Sequence, residues 1–142
     1  MTATRTRLRA DLHRVPDVTL AQLKGNWPSR YQDRRLDKDA WILALLEAGE
    51  RARVCHERLF DEPVRLRVEV YYPTASVPDL DNITAAIKPL IDLLEPLHRA
   101  GRGTRGYVGW VANDRLIASL SVERFTDAGR APLTRLEMEA VG

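Results

Sequence analysis

The sequence is short of several things that would direct its reading elsewhere. It has one cysteine, Cys55, in 142 residues. An internal disulfide is therefore excluded, and a reducing, cytoplasmic setting is expected. No stretch approaches the roughly 18 consecutive apolar residues that span a bilayer, so no membrane association is expected. The basic start, Met1 to Arg9, has no apolar core behind it, and no secretory signal is expected. The three histidines, His13, His56 and His98, are too scattered for metal-ligand spacing. Gly101, Gly103 and Gly106 follow a helical pattern rather than precede one, which is the wrong order for a nucleotide-binding loop.

What is present suits one globular domain over residues 1–142, with 44% hydrophobic and 30% charged residues. Net charge is only +2, but it is unevenly spread. Residues 1–35 hold eight Lys/Arg, among them Arg30, Arg34 and Arg35, against three Asp. Residues 96–108 form an Arg/Gly-rich segment with Arg99, Arg102 and Arg105 and no acid. Clustered cations of this kind hold phosphates, so these six arginines are candidate DNA contacts. A solvated basic surface is the plainer reading of the same residues.

The hydrophobic pattern predicts a mixed α+β domain, one sheet with two main helices against it. Residues 1–35 carry turn chemistry around Pro16 and at Gly25-Asn26-Trp27-Pro28, which predicts a loop-rich opening with room for one short strand or helical turn. Leu36 to Leu59 has helical periodicity, with Gly49 as the point where a kink or break is expected. Trp27, Tyr31 and Trp41 lie among the arginines of this region and suit either base contacts or core packing. Val64 to Tyr72 alternates strictly and predicts a strand with one face on the core. Ile83, Ile87, Leu90, Ile91 and Leu94 form a second helical stripe, with a bend expected where Pro89 removes an amide. Tyr107 to Val111 predicts a short strand or an arm. Leu116–Phe125 and Leu133–Val141 predict two strands, read as an antiparallel hairpin around the turn Asp127-Ala128-Gly129-Arg130.

The chemistry concentrates at Pro78-Asp79-Leu80-Asp81-Asn82, between the strand and the second helix. Residues two apart in an extended segment point to the same side, so Asp79 and Asp81 can face one site. Hard cations such as Mg²⁺ take oxygen ligands, typically one or two carboxylates plus water and phosphate. The same residues also fit a helix cap, which Asp and Asn commonly form. Lys88 follows Asp81 by seven positions, roughly 10 Å along the same helical face, and its side chain leans toward the N-terminus. It suits either a phosphate contact or a solvated surface position. Asn113-Asp114 precedes a strand and alone reads as a turn.

Taken in order, these features resemble the RusA-type Holliday junction resolvases. The resemblance spans about residues 63–125. It rests on the strand before Pro78, the Asp79-x-Asp81-Asn82 signature, a helix carrying Lys88-x-x-x-Asp92, and Asn113-Asp114 before an apolar strand. Two departures stand out: Asn113 replaces the first acid of the family's pair, and Lys88 sits about one turn beyond the usual lysine position, where this chain has Ala85. The resemblance implies a Mg²⁺-dependent (Mn²⁺ as substitute), homodimeric endodeoxyribonuclease that resolves four-way junctions in branched double-stranded DNA, in recombination and repair. It implies a RusA-like fold, with Asp79, Asp81 and Asp114 as metal ligands and Lys88 as the fourth catalytic residue. A catalytically weak DNA-binding relative is the alternative it leaves.

Overall fold

A computed structural model describes residues 7–16, 27–54, 58–74, 77–95, 108–112, 114–127 and 129–141, and of 27–36 and 114 the backbone alone. In chain order the elements are β1 (Arg7–Leu12), α1 (Trp27–Ala52), β2 (Val64–Tyr72), α2 (Leu80–Ala86), α3 (Lys88–Asp92), a 3₁₀ turn (Asp114–Leu116), β3 (Ile117–Thr126) and β4 (Leu133–Ala140). The strands form one mixed sheet in the order β1-β4-β2-β3. β4 is antiparallel to both β1 and β2, while β2 and β3 run parallel. This is the expected α+β architecture.

Alternation decides which face of the sheet is covered. Val64, Leu66, Val68 and Val70 of β2 are almost wholly buried, and Leu8, Ala10, Leu12, Leu136 and Met138 extend the same apolar face across β1 and β4. Each fully buried large apolar side chain contributes about 1.5–3 kcal/mol. Trp41, Leu45 and Ala48 on α1 repeat at helical spacing and pack into this core, while Leu43 on the opposite side is 62% exposed. Ile83, Ile87 and Leu90 complete the helical layer from α2 and α3.

α1 differs from the expectation at both ends. It begins at Trp27 rather than Leu36, because Pro28 occupies the helix's first turn, where its missing amide costs nothing. It runs through Gly49 without a break and stops at Ala52, where Arg53 adopts φ 61°. The Arg53 amide donates to the Glu50 carbonyl (3.1 Å) and the Val54 amide to the Gly49 carbonyl (2.8 Å), a Schellman end with arginine where glycine is usual. The opening segment is likewise less loop-rich than expected, since it contains β1 as well as the start of α1.

The helix is interrupted next to Pro89. α2 ends at Ala86, Ile87 is a turn residue, and Pro89 lies in the first turn of α3. The Ile87 amide still donates to the Ile83 carbonyl (3.0 Å) and the Ile91 amide to the Ile87 carbonyl (3.1 Å), so the two short helices are joined as one rod. Residues 108–111 form the arm: Val111 makes a single parallel bridge to Phe60, and the Trp110 indole Nε1 donates to the Val54 carbonyl at 2.8 Å.

The expected β3–β4 hairpin does not form. β2 lies between the two strands and pairs with both, and the Asp127 amide donates to the Tyr72 carbonyl (2.9 Å) as the turn passes over the end of β2. The fully apolar inner row of β2 gains more by burial at the centre of the sheet than at an edge. Among the described residues no helix is long and apolar enough to cross a membrane.

Candidate functional site

Pro78–Asn82 lies where β2 hands over to α2. Asp79 is the N-cap residue of α2, with extended φ −62° and ψ 145°, yet its side chain makes no cap hydrogen bond. Asp81 sits in the first turn, and both carboxylates are exposed. Neither has a hydrogen-bond or ion-pair partner among the described residues. The helix-cap account of this pair therefore loses its main interaction. The segment is held from below by Arg124 of β3, whose guanidinium donates to the Pro78 carbonyl at 2.6 Å. Thr84 closes the first turn, donating its hydroxyl to the Leu80 carbonyl at 2.8 Å.

Lys88 is exposed at the start of α3. Two backbone bonds, Ile87 to Ile83 and Ile91 to Ile87, link α2 to α3 across Pro89; on helical geometry the seven residues from Asp81 to Lys88 rise roughly 10 Å. Asp114 opens the 3₁₀ turn leading into β3. The sheet register places it far from the other two acids. Ile117 pairs with Val64 at the start of β2, while Arg124, which holds Pro78, pairs with Val70 near its end. Ile117 to Arg124 spans about 23 Å of extended strand. Within one chain, then, Asp79 and Asp81 stand near the end of β3 and the Asp114 backbone before its beginning. Among the described residues no group of three or more His, Cys, Asp or Glu side chains comes together.

No family model and no curated protein matches the chain.

Of the basic candidates, Arg30, Arg34 and Arg35 lie on α1 with side chains outside the described residues, as is the side chain of Asp114. Arg99, Arg102 and Arg105 fall outside the described residues altogether, as do Asn113, Cys55, His56 and His98. Trp41 is core, fully buried, with the Arg14 guanidinium stacked 4.7 Å from its ring centroid and paired with Asp37.

Among the described residues no helix covers the other face of the sheet, and its cations are largely committed to neighbouring acids. Arg67 bridges Glu69 (3.4 Å) and Glu123 (2.9 Å), and Arg7 pairs with Glu139 (3.6 Å). Arg135 donates to Asp11 at 2.9 Å, and Arg130 and Arg135 lie over the Tyr71 ring, itself stacked on Phe125. Burial pushes the Asp11 carboxyl up, but the Arg135 hydrogen bond and charge, helped by Arg9, outweigh it and hold the carboxyl below its ordinary value. Among the described residues most cations of this face are held in ion pairs, with Arg65 exposed beside them.

Arg124 is the site residue that pattern reading missed. It falls in the same row of β3 as Leu120 and Val122, so a charge there interrupts an apolar row. That interruption is the signal that could have drawn attention to it.

Proposed function

We propose that the chain is a Mg²⁺-dependent, structure-selective endodeoxyribonuclease of RusA type that resolves four-way DNA junctions as a homodimer, in recombination and repair. The observation that carries this reading is the state of Asp79 and Asp81: two exposed carboxylates at one strand–helix junction, with no side-chain cap hydrogen bond made from the N-cap position. Their oxygens suit a hard cation, which commonly takes one or two carboxylates and leaves its other positions to water and phosphate. Asp79 and Asp81 would hold Mg²⁺ or Mn²⁺, which would supply a more acidic bound water and polarisation of the phosphodiester.

The chain's own groups then orient and stabilise. Arg124 fixes the backbone of Pro78 and so the direction in which the acids are presented. Lys88, on the same rod, faces the charge that develops on the phosphate. Arg30, Arg34, Arg35, Arg99, Arg102 and Arg105 contact DNA phosphates, which position the junction without reading its sequence. Asp114 joins Asp79 and Asp81 from a second copy, because β3 separates them within one. A symmetric dimer carries two such sites, matching the two nicks that resolve a junction.

The decisive comparison is Asp81→Asn against the wild type on a synthetic four-way junction with Mg²⁺. Loss of cleavage with retained junction binding is expected. Undiminished cleavage by the variant overturns the assignment. A second reading, a DNA-binding relative without efficient chemistry, is favoured by the separation of Asp114 from the other acids in one chain. It predicts junction binding and no symmetric nicking by the wild type with either Mg²⁺ or Mn²⁺.

A further inference from the structure

The two edges of the sheet are protected very differently. β1 has six residues, of which Arg7, Arg9 and Asp11 are charged, and the Arg51 guanidinium of α1 donates to its Asp11 carbonyl at 2.5 Å. Charged, short and capped by a neighbouring side chain, it resists pairing with another strand. β3 has ten residues, and its first six, Ile117 to Val122, carry no charge and no proline. Its residues are exposed or half-buried throughout, on both faces. Leu120 is 42% exposed although its β2 partner Leu66 is 1% exposed, so the helical layer leaves this part of the strand open. Among the described residues no strand pairs with its outer side.

We infer that the outer edge of β3 pairs antiparallel with β3 of a second copy, about a two-fold axis through Ser121. The occupant is another copy because this strand is complementary to itself in that register. A two-fold axis perpendicular to the sheet keeps the helical layers on one side and sets residues of the same face opposite one another. Centred on Ser121, it places Leu120 opposite Val122 and Ile117 opposite Phe125, apolar against apolar. Ser119 then faces Glu123 and Ala118 faces Arg124, so no like charges meet. A two-residue slip one way sets Arg124 against Leu120, and the other way sets Ile117 against Glu123. The centred register avoids both. The start of one β3 then lies beside the end of the other, which is the arrangement the proposed nuclease requires, although the argument from the edge stands without it.

The test uses the full chain with Cys55→Ser as background and adds Ser121→Cys or Ser119→Cys. On the axis, facing Cα atoms lie about 4.5–5.5 Å apart, within disulfide range. Ser119 and its twin are offset by about 13 Å along the strands, outside that range. Sedimentation of the wild type as a dimer, with oxidative cross-linking of Ser121→Cys and not of Ser119→Cys, is the expected result. A monomeric wild type overturns the inference and leaves the edge to another segment or partner. So does a dimer that cross-links at Ser119→Cys, at both positions or at neither. None of these readouts depends on cleavage, so a failure here and a failure of the nuclease reading are told apart by the Asp81→Asn assay.

Discussion

Arg53 is held in the left-handed region at φ 61°, and replacing it with glycine should stabilise the fold. A side chain in that region crowds its own Cβ against the following carbonyl at a cost of about 1–2 kcal/mol. Glycine removes the crowding but gives the unfolded chain more freedom, which offsets about 0.5–1 kcal/mol. The remainder is about 0.5–1 kcal/mol in favour of Arg53→Gly. Because Arg53 is exposed and both Schellman hydrogen bonds use only backbone atoms, little else is lost. For a chain of this size the gain corresponds to a rise in melting temperature of about 2–4 °C. Thermal unfolding followed by circular dichroism measures it, with urea midpoints as a second reading. Arg53→Ala is the control: it keeps the Cβ and should show no gain. The reasoning fails if the glycine variant melts at or below the wild type, or if alanine stabilises equally. The consequence reaches the site, because the Val54 carbonyl just beyond this end holds the Trp110 arm that leads toward Asp114.

Two further outcomes follow from named contacts. Trp110→Phe removes the indole donor from the buried Val54 carbonyl and leaves a smaller ring in a fully buried place, so it should cost about 2–4 kcal/mol in urea unfolding. A loss below about 1 kcal/mol would mean the arm is not anchored as described. Asp11, whose carboxyl is held below its ordinary value of 3.8, contributes stability that is present above that value and lost as pH falls through its depressed folded one. Asp11→Asn should therefore be less stable than the wild type at pH 7 and converge with it in strong acid; a constant difference across the range refutes the linkage.

Patterns that depend on near neighbours were readable. The two-residue period of β2 and the stripe of Ile83, Ile87 and Leu90 report burial directly, and Pro89 locates the interruption because the missing amide is a local fact. β1 was hard to see: only Leu8, Ala10 and Leu12 mark its inner face, among charged residues in a short segment. Pro28 read as a turn because proline serves loops and helix starts alike. The hairpin expectation fails for another reason. β3 and β4 have the right spacing and direction, but whether a third strand lies between them is set by which strand must be buried at the centre. At the site, Asp79 and Asp81 are exposed at the start of α2, whereas their separation from Asp114 follows from the strand order and has no local signal in the sequence.

That distance is a consequence of topology. When a strand is followed by helices and then by a parallel strand, the chain leaves at one end of the sheet and must return to the other before it can run parallel. A residue just after β2 and a residue just before β3 are thereby placed at opposite ends, whatever their separation in sequence. Three acids in this order can meet in a single chain only if long loops carry one of them back across the sheet. Antiparallel pairing of two β3 edges does it without any such loop, because it sets the beginning of one strand beside the end of the other. If Asp114 acts with Asp79 and Asp81, the uncharged edge of β3 and the acids at its two ends are parts of one device, and loss of the edge contact should abolish cleavage while leaving each chain folded.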